Sequence, residues 1–204
     1  MNNPSWRIVT IGNLPRSNSD RSKHHACTVT LIETENRRIL VDPGLPCIED
    51  LITVLEHRTG YRPDEIDTVF LTHFHPNHRQ CLSRFPKSAW LMSRVEIRWW
   101  QKHAQTSEVD RDLLARMVPI EEHALNGIEI LPTPGHTHGS TSLLFETREG
   151  VIIIAGDAVQ SFDHFDLREP SPNAEDAKEA RRSIGLIAKM ADVVVPGHDN
   201  YFIV

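Results

Sequence analysis

Short runs of β-branched and apolar residues alternate along this chain with segments of helical spacing. Residues 6–11, 27–33 and 38–41 are strand-like, the last two being separated by a polar turn. Between the first two, residues 13–25 are polar and rich in breakers, which predicts a loop. Ile48, Leu51, Ile52 and Leu55 recur at helical spacing, so residues 48–59 predict a helix that Gly60 stops. A short buried strand is expected at 68–72. Residues 93–117 read as helical, with a break near Thr106 and Ser107. Further strands are expected at 128–131, 142–145, 151–155 and 193–195. Residues 173–190 predict a long helix, capped by Ser171 or Asn173, with Glu175 and Asp176 in its first turn.

Strands followed by helices, twice over, predict two β-sheets packed on each other with helices outside, an α/β arrangement. No linker or low-complexity tract divides the chain. Its 204 residues suit a single domain, 1–204, large enough to fold without disulfides. The three cysteines, Cys27, Cys47 and Cys81, form no CxxC pair and fit reduced core thiols. No apolar run approaches the ~18 residues that span a bilayer. Residues 1–7 lack the apolar stretch of a secretory signal, so a cytoplasmic location is expected. A formal net charge of -6 argues against bulk attraction to nucleic acid or membranes, though not against a local basic patch.

Histidine changes the picture. There are 12, several of them clustered. In Thr72-His73-Phe74-His75-Pro76-Asn77-His78, the first two histidines are two apart in an extended segment, so they point the same way. Pro76 favours the first turn of a helix, which brings His78 round to the same small space. Imidazole is the usual ligand for zinc and related metals. Three later segments share one local design: Thr133-Pro134-Gly135-His136, Ile154-Ala155-Gly156-Asp157 and Val195-Pro196-Gly197-His198. Each sets a glycine before a His or Asp at the end of a strand-like run, where the backbone can turn sharply. Together with the first cluster they supply five histidines and one aspartate, enough ligands for two metals.

This set resembles the metallo-β-lactamase superfamily, whose signature is HxHxDH followed by a distant His, a bridging Asp and a last His. The resemblance runs over nearly the whole chain. It implies the αββα sandwich of that fold, two mixed sheets flanked by helices. Residues 131–136 and 193–198 resemble, more narrowly, the small stand-alone group typified by metallo-β-lactamase domain-containing protein 1. The resemblance implies one metal held by His73, His75 and His136, a second held by His78 and His198, and Asp157 bridging both. It further implies two divalent transition metals, zinc first and iron or manganese as alternatives. A water shared by them would become the hydroxide nucleophile. Asn77 and Asp157 are then the candidate catalytic residues. Asn77 departs from the pattern, because it stands where the family has an aspartate. A neutral amide can ligate through oxygen but carries no charge, so the second site is expected to be weaker.

The implied function is a metal-dependent hydrolase acting on an ester, lactone, thioester or phosphodiester, with an anionic substrate expected. A mono-iron, persulfide-dioxygenase-like oxidoreductase using His73, His136 and Asp157 is one alternative, and a non-catalytic metal-binding module is another. The expected partner is a small-molecule or phosphoester substrate. A membrane partner is not expected, while nucleic acid and a homodimer stay open. Among the remaining residues, His138 is either close to the ligands or a solvent-exposed loop histidine. Arg16, Arg21, Lys23, His24 and His25 could overhang the metals or belong to a solvated loop. Residues 162–168, with His164 and Arg168, are a candidate border of the cleft. Trp99 and Trp100 cannot share one helix face, and core packing is expected for both. His57, His103 and His123 are expected at the surface.

Overall fold

A computed structural model describes residues 3–14, 26–44, 48–103 and 107–204. One sheet contains β1 (Ser5–Thr10), β2 (Val29–Glu33), β3 (Arg38–Val41), β4 (Thr68–Phe70), β5 (Ala89–Met92) and β6 (Val118–Pro119), in that order. The second contains β7 (Glu129–Pro132), β8 (Thr141–Thr147), β9 (Gly150–Gly156), β10 (Val193–Pro196) and β11 (Phe202–Ile203), ordered β11-β10-β9-β8-β7. Both sheets are mixed. Pairing is parallel from β3 to β6 and between β9 and β10, and antiparallel elsewhere.

The period of two along the strands sorts side chains into layers. Ile39, Val41, Phe70 and Leu91 from one sheet meet Ile152, Ile154, Val193 and Val195 from the other. The alternating positions face outwards. Leu40 and Val69 pack with Leu51 and Leu55 of α1 (Ile48–Thr59). The same cluster takes in Ile97 of α3 (Arg94–His103) and Leu114 of α4 (Glu108–Arg116), which follow the short α2 (Pro76–Arg79) in the chain. On the far side, Ile153 and Val194 pack with Phe165 of α5 (Phe162–Asp166) and with Ile184 and Ile187 of α6 (Ala177–Met190). The result is a helix–sheet–sheet–helix sandwich, as the alternating pattern implied. No helix among the described residues is long and apolar enough to cross a membrane.

The start of α6 and several strands differ from expectation. The long helix starts at Ala177, and its cap is Asp176, which accepts from the backbone N–H groups of Lys178 and Glu179. Glu175 and Asp176 therefore precede the first turn. Their own N–H groups are committed elsewhere, to the carbonyls of His136 and Gly135 at 3.2 and 2.9 Å. That commitment is why residues 173–176 are not helical. The segment 93–117 divides into α3 and α4 with the second capped by Ser107, in keeping with the break expected near Thr106 and Ser107. β5, with Trp90, Leu91 and Met92 all buried, has no counterpart among the expected strands, and neither do the two-residue β6 and β11. Cys27 and Cys81 are buried thiols and form no disulfide with each other. Cys47, Arg16, Arg21, Lys23, His24 and His25 lie outside the described residues.

Candidate metal centre

The parallel strands β4, β9 and β10 end at one edge of the sandwich, and the clustered residues follow those ends. The C-terminal edge of parallel strands is the usual place for sites in sheets of this kind. His73 comes three residues after β4, His75 is the N-cap of α2, and Pro76 opens that helix. His78, one turn on, is swung back beneath His73, their ring centres 4.1 Å apart. His136 leaves the loop after β7, Asp157 follows β9, and His198 follows β10. Gly197 has a steric role here. A Cβ on it would lie 2.1 Å from Asp157 Oδ1, so only glycine lets the carboxylate sit against that turn.

Two histidine groups result. His73, His75 and His136 crowd together, with ring centres 4.7 to 4.9 Å apart. His78 and His198 form the second group, with ring centres 5.2 Å apart. Asp157 faces both groups. Its Oδ1 is 3.2 Å from Nε2 of His78 and 3.2 Å from Nε2 of His198, while its Oδ2 is 3.3 Å from Nε2 of His136. Ligand atoms of His73, His75 and His136 lie within 4.8 Å of one another, as do those of His73, His78 and Asp157.

The chemistry of these atoms fits a metal. His73 Nε2, His78 Nε2, His136 Nδ1 and Asp157 Oδ1 are buried and make no hydrogen bond. One such orphan costs roughly 1–3 kcal/mol, and those of His73, His78 and Asp157, residues whose ligand atoms lie within 4.8 Å of one another, form a cluster that is rare in a folded protein. A cation satisfies acceptors that have no donor. Burial holds His73 and His136 below the ordinary imidazole range. It also takes His75 down to about 4, with His136 adding to the effect. These imidazoles are neutral near pH 7 and have lone pairs to offer. His78 behaves oppositely. Burial opposes its charge, but the carboxylates of Asp157 and Asp42 override that and lift it to about 10. Burial would raise Asp157, yet His198, His78 and His136 outweigh it and hold its carboxyl well below the usual range.

Two carboxylates absent from the sequence reading hold these groups in place. Asp42 accepts from Thr72 N at 2.8 Å and Thr72 Oγ1 at 2.7 Å, and lies 3.0 Å from His78 Nδ1. It sits at φ 51°, a left-handed conformation that aspartate tolerates better than most residues. Glu96 grips the first group through backbone and side-chain donors. The signals for both were faint: an Asp-Pro-Gly after β3, and a glutamate one turn before Trp100 on the buried face of a helix. His198 Nδ1 is fixed by the carbonyl of Ala26 at 2.7 Å.

A cleft of about 630 Å³ opens over the histidines. Val109 and Leu113 of α4 form an apolar wall, and Gln160 and Asn173 line it with amides. Gln160, which the sequence reading passed over, donates to Asp157 Oδ2 at 2.8 Å. Asn77 stands at the rim, its Nδ2 3.3 Å from His198 Nε2. Arg79 also lines the cleft, but its guanidinium is paired with Asp110. A larger cavity of about 830 Å³, beside Trp6 and Tyr201, contains none of the clustered histidines.

Other candidates fall outside the centre. His138 is exposed, stacks on Trp99 and pairs with Glu175. Residues 162–168 do not line the cleft, and His164 pairs with Ser161. Trp100 is half-buried against Phe74 and His75, so it packs on the ligand segment rather than wholly in the core. His57 is exposed and His123 half-buried, while the His103 side chain lies outside the described residues.

One family model and several known proteins are similar to this chain. The family model described as the metallo-beta-lactamase superfamily matches residues 23–198. Metallo-beta-lactamase domain-containing protein 1 of Xenopus laevis is 30% identical over 176 residues, covering 86% of this chain and 71% of that protein. An N-acyl homoserine lactonase of Bacillus cereus is 24% identical over 198 residues, covering 83% and 79%. A Thermotoga maritima structure assigned provisionally to the metallo-beta-lactamases superposes with a TM-score of 0.77 at 20% identity, covering 99% of this chain and all of that one.

Proposed function

The chain belongs to the metallo-β-lactamase superfamily, and we propose that it is a two-metal hydrolase acting on an anionic ester, lactone, thioester or phosphodiester. His73, His75 and His136 would hold one divalent transition metal, His78 and His198 would hold the other, and Asp157 would serve both. Zinc is the first candidate, with iron and manganese behind it. The observation that carries this reading is the placement of Asp157, whose two oxygens lie 3.2 to 3.3 Å from histidines of both groups. A single carboxylate whose two oxygens face both sets of imidazoles is suited to two cations better than to one. Such metals supply an acidified water and polarise the bond attacked.

The chain's own residues set the rest. Gln160 fixes one oxygen of Asp157, leaving the other to face His78 and His198. Asn77 takes the rim position where the family pattern has an aspartate, and it contributes no negative charge. Two dications carry four positive charges, Asp157 offsets one, and Asn77 offsets none. The centre is thus about one unit more positive than the family pattern implies, which favours substrates whose negative charge grows during reaction. The similarity to an N-acyl homoserine lactonase puts lactones and carboxylate-bearing esters at the front of the test set.

The test is a hydrolysis screen of matched charged and neutral esters, lactones, thioesters and phosphodiesters, at low and moderate salt. Metals are identified in the same preparation by X-ray fluorescence. Hydrolysis that prefers the charged member of each pair, with two metals present, is the expected result. Preference for neutral substrates at both salt levels sinks the anionic assignment. A single iron with oxygen uptake and no hydrolysis overturns the hydrolase reading in favour of a mono-iron oxidoreductase.

A further inference from the structure

Glu96 is wholly buried, yet among the described residues no lysine or arginine pairs with it. An unpaired buried charge is costly unless hydrogen bonds replace its hydration. Here four donors do so, two on each oxygen. Oε1 accepts from Phe74 N at 3.0 Å and Trp100 Nε1 at 2.8 Å. Oε2 accepts from Thr137 Oγ1 at 2.8 Å and Gly139 N at 3.0 Å. Phe74 lies between His73 and His75, and Thr137 directly follows His136. The two segments that carry the first histidine group are therefore held by opposite oxygens of one carboxylate.

The surroundings reinforce that link. Trp100, itself a donor to Glu96, sets its ring edge-on to His75 at 6.0 Å. Ser140 Oγ lies 2.7 Å from Thr137 Oγ1 and accepts from Thr137 N at 3.0 Å, which orients the hydroxyl that Glu96 receives. Gly139 approaches so closely that a Cβ on it would lie 2.2 Å from Glu96 N. Only an ionised carboxylate accepts from all four donors. A glutamine of the same size offers one oxygen, and its NH₂ group confronts the two remaining donors.

We propose that Glu96 is a positioning residue for the first metal, setting the separation of the 73–75 and 136–139 segments so that three imidazoles converge. This rests on the reading that His73, His75 and His136 bind a metal. Partners that orient ligands without touching the metal typically change affinity by about 10–100-fold.

The test is competitive titration of metal-free protein with cobalt(II), following its visible absorption bands. It is run in a His198→Ala background so that the second group is incomplete. Glu96→Gln should weaken cobalt binding by about 10–100-fold and shift the bands, because the ligand geometry relaxes. Thr137→Val removes one donor and should weaken binding less, while Thr137→Ser keeps the hydroxyl and should restore it. Ser88→Ala, which deletes a buried hydrogen bond to Ile66 away from the histidines, controls for general destabilisation and should leave affinity and bands unchanged. Wild-type affinity and bands in both Glu96→Gln and Thr137→Val overturn the proposal. If Glu96→Gln does not fold, the Thr137 pair decides alone. Failure of the His198→Ala parent to bind cobalt would instead overturn the metal reading itself.

Discussion

The two histidine groups are each held by a buried carboxylate, but by different means. Glu96 grips the first group through Phe74, Thr137 and Gly139, and touches none of its imidazoles. Asp42 reaches the second group directly, 3.0 Å from His78 Nδ1. A carboxylate spent on backbone donors fixes position and leaves the imidazole neutral. A carboxylate placed on the ring stabilises the ring's charge as well. Burial, with no carboxylate on its ring to offset it, drives His75 down to about 4, while Asp157 and Asp42 together lift His78 to about 10 against its burial. The first group is ready for a metal near neutral pH, whereas the second must give up a proton to take one. Asn77, neutral at the rim of the second group, widens that gap.

The sharpest break in the comparison is deletion of one ligand from each group. His136→Ala should remove the first metal and reduce activity to the background of metal-free protein. His198→Ala should leave the first metal in place and cost the second. Elemental analysis of untagged protein, beside the activity assay, reads both. Equal metal loss in the two variants would mean that the groups are not separate sites. The next effect is on stability. Asp42→Asn keeps size and tolerance of the left-handed backbone, but removes the charge beside protonated His78. Breaking one side of a buried pair costs about 3–5 kcal/mol, so denaturant unfolding of the metal-free protein should shift by that order. A change below about 1 kcal/mol, within the range of an exposed pair, would show that Asp42 and His78 are not a charged pair.

A smaller effect sharpens the same contrast. Asn77→Asp restores a negative charge near the second group alone. The second metal should bind about tenfold tighter or more, equivalent to about 1.4 kcal/mol, with the first unchanged. Competition titration with a chelator measures both. Equal tightening of the two would place Asn77 between the groups rather than beside the second.

The parts of the molecule legible in the sequence are those decided locally. Ile39 and Val41 alternating with Leu40, and Ile152 and Ile154 with Ile153, marked strands buried on both faces. The helix at Ile48–Thr59 was set by spacing and a glycine stop. The candidate cluster was legible because His73, His75 and His78 fall within one strand end and one turn, and because glycine directly precedes His136, Asp157 and His198. What stayed hidden depends on contacts far along the chain. Asp42 meets partners 30 and 36 residues away, and Glu96 meets Thr137 41 residues away. No local pattern distinguishes such carboxylates from surface ones. The start of α6 was equally undecidable. Ser171, Asn173 and Asp176 are all good caps, and the choice fell to the carbonyls of Gly135 and His136, which take the N–H groups of Asp176 and Glu175.

The smallest predicted effect concerns protons. A histidine must be deprotonated to bind a metal, so binding displaces any proton it carries. At pH 7.5 the first group has none to lose, since His75 titrates at about 4 and burial also lowers His73 and His136. His78, at about 10, is protonated there. Calorimetry in buffers of different ionisation enthalpy should then show about one more proton released with the second metal than with the first. The second affinity should also fall about tenfold for each pH unit below 10, while the first stays flat to well below neutral. The same shifts act on the metal-free fold in opposite directions. The raised pKa of His78 stabilises the fold fully below the unfolded value near 6.5 and is lost as pH rises through about 10. The lowered pKa of His75 stabilises it above 6.5 and is lost as pH falls towards about 4. Metal-free stability should therefore decline on both sides of neutrality. A water acidified on binding could release a proton of its own, and Asp42→Asn separates the two sources. Removing one of the two carboxylates that raise His78 should shrink the excess proton if it comes from that ring. An excess that persists unchanged in Asp42→Asn would assign the proton elsewhere and remove the protonation contrast between the two groups.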